Sequence, residues 1–299
     1  MSGRHEAPSN LDGKLKLGFI LNSGFTVLEF FAGFLSGSLA LISDAAHNLT
    51  DSLSLLVSFF AAKVARRQAN SDKTYGYGRA TVLAALINSL ILLSLAAYIF
   101  IEAYKRFLDP QPVAGGLVAA VALVGIIING SIAYMFYKSR GDLNIRSAFL
   151  NMALDALASV GALLAGLIIV LSGKTFVDPL ISVVIGCMLL YSGWSVIKSA
   201  MHLLFEGVPE GTNVAAIQKT ILAMPGVKGM DDLHVWALST TSAALSCHLV
   251  VEDSSLKDSI LLKQRVKRML SEKFHIEHAT IETELTAGPH DGERTDEGV

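Results

Sequence analysis

The sequence predicts an α-helical membrane protein with six transmembrane helices, followed by a cytoplasmic α+β domain with a two-layer αββαβ order. Of its 299 residues, 52% are hydrophobic, and the mean hydropathy is +0.51. Both values exceed what a soluble domain usually shows. The hydrophobic excess lies between about Leu17 and Leu204. The net charge of −2 gives no basic surface of the kind that nucleic acid requires.

Six apolar segments are long enough to cross a membrane, which takes about 20 mostly apolar residues. Turn-forming residues separate several of them, namely Gly37, Pro110, Pro112 and Gly173. The predicted helices cover residues 16–36, 38–62, 81–107, 113–137, 147–171 and 177–204.

The basic residues in the connecting loops predict the orientation of these helices, because cytoplasmic loops carry an excess of Lys and Arg. They concentrate before the first helix and in two loops: Lys14, Lys16, Arg66, Arg67, Lys73, Arg79, Lys138, Arg140 and Arg146. With six spans, this pattern puts both termini in the cytoplasm. We expect a bacterial inner membrane, since the chain has neither a long His-rich loop nor a targeting segment.

The residues after the last apolar segment predict the αββαβ sandwich. Thr212 can cap a helix that ends near Ala223. Alternation of apolar and polar residues over 233–238 and 243–252 predicts two strands. A second helix is predicted to open at Ser254 and Ser255, and residues 276–285 are predicted to form the last strand.

Ionisable side chains inside the apolar second and fifth helices are the most informative feature of the sequence. Asp44, His47 and Asp51 recur at spacings of three and four, which brings them close to one helix face. Asn151 and Asp155 do the same on the fifth helix. Unpaired carboxylates are costly in lipid, so they mark a functional site by default. Four nitrogen and oxygen ligands suit a divalent cation such as zinc.

Hydrogen bonding between helices is the alternative role for these polar groups, and for Asn151 it explains the residue as well as metal binding does. Glu29, Asn88 and Asn129 are expected to pack helices together or to orient the ligands. Asp178, which precedes Pro179, is expected to cap the sixth helix rather than to bind metal.

The chain resembles the cation diffusion facilitators from its first helix to the end of the soluble domain. The motifs that carry the resemblance are SDAAHNLTD at 43–51, YGYGR at 75–79, RSAF at 146–149, DAL at 155–157 and VDP at 177–179. The resemblance implies a homodimeric antiporter that expels zinc or a related divalent ion in exchange for protons. It also implies that His47, Asp51 and Asp155 are ligands of the transport site, with Asn151 at the fourth position.

Position 151 departs from the family pattern, because the zinc-transporting members usually have His or Asp there. A carboxamide offers only a carbonyl oxygen to a metal, and it cannot titrate. Asn151 therefore favours ions such as manganese, whereas His47 favours zinc or cobalt. We expect zinc as the cargo, with manganese, cobalt, cadmium or iron as alternatives. Loading releases protons because the ligands must be deprotonated, and histidine is the residue type that changes charge near neutral pH.

Family members often bind metal in the cytoplasmic domain, across the dimer. The candidate ligands here are Asp231, His234, His248, Glu282 and Glu284. By position, His248 is the central one. The alternative is a solvated sheet surface that carries ordinary acids and histidines. A metal bound there is expected to regulate the protein and to stabilise its dimer.

These inferences divide the chain into four parts. Residues 1–15 form a cytoplasmic segment, 16–205 the transmembrane transport domain, 206–286 a cytoplasmic metal-binding and dimerisation domain, and 287–299 a disordered tail. The expected partners are membrane lipid, a second copy of the chain, protons and divalent metal ions. Zinc or another divalent transition metal serves as transported substrate and as regulator, and no nucleic acid is expected.

Two other function classes compete with a secondary transporter. An intramembrane metalloenzyme would need an arrangement such as His-Glu-x-x-His, and the sequence has none. A non-transporting membrane metal sensor or scaffold would not need acids and a histidine at matched depth in two helices. We therefore predict no catalytic and no cofactor-binding residue. Metal flux across vesicles under a pH gradient separates these classes.

The substitution Asn151→His is expected to raise the preference for zinc over manganese by about tenfold, which corresponds to about 1.4 kcal/mol. The reason is that an imidazole nitrogen replaces an amide oxygen in the site. Initial transport rates for each metal in proteoliposomes measure the preference, and Asn151→Ala serves as the control. An unchanged zinc-to-manganese ratio in Asn151→His would contradict a ligand role for this position.

Overall fold

A computed structural model of the chain describes residues 8–137, 143–251 and 256–285, with side chains for 17–137, 149–251 and 256–285. The tail 287–299, the helix-opening Ser254 and Ser255, and the side chain of Arg146 lie outside the described residues. The chain divides into two compact units, each described by itself below. The first is Met1–Val57 with Asn88–Ser195, and the second is Ser58–Ile87 with Val196–Val299.

All six predicted apolar segments are helical. They are α1 (Pro8–Ser36), α2 (Leu39–Ala65), α3 (Ala80–Leu108), α4 (Gly115–Tyr137), α5 (Leu143–Ser172) and α6 (Val177–Leu204). The first helix starts at Pro8 rather than at Lys16, because proline is well suited to the first helical position. The fifth starts at Leu143 rather than at Ser147.

Five of these helices are long and apolar enough to cross a membrane. Their spans are Leu17–Ser36, Ala80–Leu108, Gly115–Tyr137, Phe149–Ser172 and Val177–Leu204. Helix α2 is not among them, since Asp44, His47 and Asp51 interrupt its apolar sequence. For the part of the chain that the structure describes, length and composition thus support five spans. The predicted sixth span is the helix with the candidate site.

Asp178 does not cap α6. That helix begins at Val177, so Asp178 lies within its first turn. Its carboxylate instead accepts hydrogen bonds at the start of α2, from the hydroxyl of Ser38 and from the backbone N–H groups of Leu39 and Ala40. The expectation was wrong because the Asp178 carboxylate bonds to the start of α2, which is far from it in the sequence, and not to its own helix.

Glycines bring α4 and α5 into close contact. A Cβ atom added to Gly166 would lie 2.7 Å from the backbone nitrogen of Ala119, and one added to Gly115 would lie 2.7 Å from the carbonyl oxygen of Gly166. Small residues permit such an approach between membrane helices, and van der Waals packing then stabilises the pair. This contact supports the helix that carries Asp155.

The second unit contains the predicted αββαβ sandwich. Its elements are α7 (Val214–Leu222), β1 (Val227–Ala237), β2 (Ala243–Val251), α8 (Leu256–Phe274) and β3 (His278–Glu284). The sheet order is β1-β2-β3, with β1 antiparallel and β3 parallel to β2. Asn213, not the expected Thr212, caps α7, because its side chain accepts a hydrogen bond from the backbone N–H of Ala216 at 2.9 Å.

One face of this sheet forms the core with α7 and α8. The buried residues of this core include Ile217, Ile221, Val235, Leu245, Cys247, Leu249, Val251, Leu262, Val266, Leu270 and Ile281. Because successive residues of a strand point to opposite faces, His248 lies on the side away from this core. The core thereby leaves the other face of the sheet available for polar groups.

The substitution Gly166→Ala is expected to destabilise the first unit by about 1–3 kcal/mol, because the new methyl group meets backbone atoms that cannot rotate away. Gly116→Ala is the matched control, since a Cβ atom there has nothing within 4 Å. Melting temperatures of the two purified variants in detergent measure the difference. Equal melting temperatures would show that α4 and α5 do not pack this closely.

Candidate metal sites

The polar face of α2 carries a histidine and two acids at increasing exposure. Asp44 is buried, and the side chains of His47 and Asp51 are 25% and 46% exposed. The Nδ1 atom of His47 lies 3.8 Å from Oδ1 of Asp51, which is too long for a hydrogen bond. That nitrogen is itself buried and has no hydrogen-bond partner. A buried nitrogen without a partner is unfavourable, and a bound cation would satisfy it.

Asp155 of α5 faces the same charges. It is only 5% exposed, and the carboxylates of Asp44 and Asp51 lie close enough to act on it electrostatically. Repulsion among acids in an apolar surrounding is relieved by a proton or by a metal ion. The structure thus brings the acids of α2 and α5 into one electrostatic neighbourhood.

The four predicted transport ligands do not close into a compact set. Asn151 is exposed, one turn before Asp155. Among the described His, Cys, Asp and Glu residues, His47, Asp51 and Asp155 do not form a group whose ligand atoms all lie within 4.8 Å of one another. Binding a metal between α2 and α5 therefore requires these helices or their side chains to move closer together.

Glu29 of α1 is the neighbour of this site whose part the sequence left open. It is 1% exposed, its Oε2 atom is buried without a hydrogen-bond partner, and its carboxyl group lies close enough to that of Asp44 for the two to interact. Glu29 therefore adds a further carboxyl group beside the candidate ligands. The signal in the sequence was the acid itself, within an otherwise apolar helix.

The other buried amides divide into two cases. Asn88 of α3 donates a hydrogen bond to the carbonyl oxygen of Ser54 on α2 at 3.3 Å, which is a helix-packing contact. Asn129 of α4 is completely buried, and neither its oxygen nor its nitrogen has a hydrogen-bond partner. The expectation that these residues pack helices therefore fits Asn88.

A second cluster lies on the open face of the three-stranded sheet in the second unit. Asp231, His248 and Glu284 each offer a ligand atom, and these atoms all lie within 4.8 Å of one another. The three residues come from three adjacent strands, since Asp231 is paired with His248 and Glu284 with Val250. The Nδ1 atom of His248 lies 3.0 Å from Oε1 of Glu284. Both carboxylate oxygens of Asp231 are buried without a hydrogen-bond partner.

A β-bulge shapes one side of this cluster. The register passes from Asp231 opposite His248 to His234 opposite Ser246, so β1 contains one extra residue. Asp232 occupies the bulge with φ of +48°, a left-handed conformation that aspartate tolerates. Its carboxylate lies 2.8 Å from His234 and 3.8 Å from His248. His234 is thus paired with Asp232 and lies outside the three-residue cluster.

Two other groups near His248 differ in what they can contribute. Glu282 approaches the Nε2 atom of His248 at 3.7 Å, but its side chain is 66% exposed. Cys247 faces the core, and burial, with a smaller contribution from Asp231, raises the pKa of its thiol to about 11. The thiol stays protonated at neutral pH. The cluster therefore offers one nitrogen and several oxygen ligands, a set that suits zinc and harder divalent ions.

Two family models match the chain along most of its length. Residues 15–205 match the cation efflux transmembrane domain, and residues 209–285 match the cation efflux protein, cytoplasmic domain. Together these matches cover both the six-helix region and the α+β sandwich.

Three curated relatives resemble the chain over nearly its whole length. The cadmium, cobalt and zinc/H(+)-K(+) antiporter of Bacillus subtilis is 38% identical over 93% of this chain and 90% of its own. The metal cation efflux system protein CzcD of Cupriavidus metallidurans is 39% identical over 94% and 89%. The zinc transporter ZitB of Escherichia coli is 34% identical over 94% and 90%.

A solved structure also resembles part of the chain. It is the metal-bound C-terminal domain of the CzcD transporter from Cupriavidus metallidurans, at 42% identity and a TM-score of 0.23. The match covers 24% of this chain and 99% of that domain.

The substitution His248→Ala is expected to weaken zinc binding to the cytoplasmic cluster by at least about tenfold, because it removes the only nitrogen ligand. His234→Ala is the matched control, as that histidine bonds to Asp232 outside the cluster. The rise in melting temperature of the full chain on adding zinc, in a His47→Ala background that removes the other candidate site, measures binding. The geometry would be contradicted if His234→Ala abolished this rise in melting temperature and His248→Ala left it unchanged.

Proposed function

We propose that this chain, which belongs to the cation diffusion facilitator family of metal efflux transporters, exports zinc in exchange for protons. The chain is an integral membrane protein of a transporter family and not an enzyme. The observation that carries the proposal is the unpartnered His47 nitrogen beside Asp51, whose carboxylate in turn interacts electrostatically with Asp155.

The ligand types favour zinc among the divalent cations. His47 supplies an imidazole nitrogen, and Asp51 and Asp155 supply carboxylate oxygens, which is a common zinc ligand set in proteins. Asn151 completes the set with a carbonyl oxygen once α5 approaches α2. Relatives whose names include zinc, cadmium and cobalt are consistent with such a site. Manganese and iron are the alternatives that the oxygen of Asn151 favours.

Proton exchange follows from competition for the same atoms. A metal binds only to a neutral imidazole and to ionised carboxylates, so loading expels protons from the ligands. Protons that return to His47 and the acids displace the metal. Glu29, which lies close enough to Asp44 to interact with it, supplies a further carboxyl group next to the site for this exchange. A proton gradient thereby drives metal in the opposite direction.

Alternating access gives this exchange its direction. We propose that α2 crosses the membrane as the sixth span, with both termini in the cytoplasm of a bacterial inner membrane. The transport domain would then end near residue 205, and the cytoplasmic domain would follow from 206 to 286. Rocking of helices about a site near the membrane midplane would expose the metal to one side at a time.

A second role concerns the cytoplasmic domain. We propose that Asp231, His248 and Glu284 bind zinc as a regulator, and that this domain joins two copies of the chain. Support comes from the unpartnered Asp231 carboxylate and from the match to the family's cytoplasmic domain. A metal there would lower the repulsion between two half-buried acids, and would thus stabilise the sheet at rising zinc concentration.

The substitution His47→Ala is expected to lower the initial rate of zinc-for-proton exchange by at least about tenfold, because one of three strong ligands is lost. Proteoliposomes loaded with a zinc dye and given a pH gradient measure the rate. Ser52→Ala, which removes a hydroxyl bonded to its own helix at Asn48, is the control. Exchange at the wild-type rate in His47→Ala would refute the site.

Zinc affinity of the transport site is expected to fall as the pH is lowered from about 7.5 to 5.5, since protons compete with the metal for its ligand atoms. Affinity should change much less over this range in His47→Ala. Titrations in a His248→Ala background exclude the cytoplasmic cluster. A pH-independent affinity in that background would rule out coupling through His47.

A further inference from the structure

We infer that Asp178 of α6 is a positioning residue, which holds the start of α2 and so sets the depth of His47 and Asp51. The inference rests on the proposed transport site, because it assigns a role to a residue that supports that site without touching the metal. Nothing in its position makes Asp178 a ligand, since its carboxylate is completely buried and already bonded to other groups.

The carboxylate of Asp178 is bonded to three successive residues at the start of α2. Oδ1 accepts from the hydroxyl of Ser38, and Oδ2 accepts from the backbone N–H of Leu39 at 2.7 Å. The N–H of Ala40 approaches Oδ1 at 3.4 Å. The hydroxyl oxygen of Ser38 in turn accepts from the N–H of Leu41 at 3.2 Å. One carboxylate and one hydroxyl thus satisfy the first N–H groups of the helix.

Such groups must find acceptors, because the first turn of a helix has four N–H groups without partners inside the helix. Here they are buried: Ser38, Leu39 and Ala40 are at most 2% exposed, so water does not serve them. A negative charge at this end also interacts favourably with the helix dipole. Asp178 therefore stabilises the start of α2 in this position.

Arg106 of α3 completes the arrangement. Its Nη1 atom lies 3.8 Å from Oδ2 of Asp178 and donates a hydrogen bond to the carbonyl oxygen of Gly37. Gly37, with φ of +69°, forms the turn between α1 and α2. The turn is thus held from α3 and the helix start from α6. Both contacts oppose sliding of α2 along its axis and rotation about it.

The consequence for the site follows from helix geometry. With a rise of 1.5 Å per residue, His47 lies about 12 Å along α2 from Leu39. The first turns of α2 are buried and regular, so a shift at Asp178 is carried to His47 and Asp51 with little loss. A displacement of about 1 Å is enough to misplace a reacting or binding group. Asp178 therefore defines where the α2 ligands meet Asp155.

The test uses Co²⁺ as a spectroscopic probe of the intact chain in detergent, in a His248→Ala background that removes the cytoplasmic cluster. Asp178→Asn preserves the size of the side chain but presents an amide donor to backbone donors. We expect the cobalt ligand-field bands to shift and the Kd for Co²⁺ to rise by about tenfold, the scale of a lost helix cap. Ser38→Ala should give a smaller change, about twofold to threefold.

Two controls make the outcome decisive. Ser94→Ala removes a hydroxyl that donates a hydrogen bond to the carbonyl oxygen of Leu90 within α3, and its cobalt spectrum should match that of the parent. His47→Ala should abolish the spectrum. If Asp178→Asn does not fold, Ser38→Ala carries the test by the same two readouts.

An unchanged spectrum and Kd in Asp178→Asn, with loss of the spectrum in His47→Ala, would overturn the positioning role and leave the transport site standing. Unchanged bands in folded Ser38→Ala would overturn it in the same way. An unchanged spectrum in His47→Ala would instead refute the transport site, and the inference that rests on it would fall as well.

Discussion

A charged group inside an apolar helix bundle must be neutralised or bonded, and the acids of the first unit depend on this constraint. Asp178 meets it permanently, through the helix start of α2 and the guanidinium of Arg106. Glu29 and Asp44 are both buried and lie close enough to interact with each other. Asp51 and Asp155 have no such permanent partner among the contacts described above. We assign Asp51 and Asp155 to the exchange of metal and protons.

The cytoplasmic sheet satisfies the same constraint in another way. There the acids and His248 lie on a partly hydrated face, where charges cost less than in lipid. The ligand atoms of Asp231, His248 and Glu284 are already close together. A preformed cluster suits a regulator that binds and stays. The looser arrangement around His47 suits a site that must also release its ion.

Much of the architecture could be predicted because it depends on local patterns. Hydropathy placed all six long helices, and alternation placed β1 and β2, since each pattern reflects what a single element buries. The spacing of His47 and Asp51 predicted a shared helix face for the same reason. His248, Asp231 and Glu284 were also named from the sequence, although their separation from His234 depends on a bulge that alternation does not reveal.

Other features that the sequence did not predict involve contacts between distant segments. Asp178 was expected to cap its own helix, because local rules consider only neighbouring residues. Its true partners, Ser38 and Leu39, become neighbours only when α6 packs beside α2. The proximity of Glu29 and Asp44 depends likewise on how α1 lies beside α2. Such contacts determine which acids are free, and a motif alone does not contain that information.

Zinc binding between α2 and α5 is tested most directly by a zinc-edge anomalous difference map of crystals grown with zinc. We expect a peak for zinc between α2 and α5, about 2.0–2.2 Å from a His47 nitrogen and from oxygens of Asp51 and Asp155. A map with peaks only at the cytoplasmic cluster, in a crystal whose α2 and α5 are ordered, would contradict it.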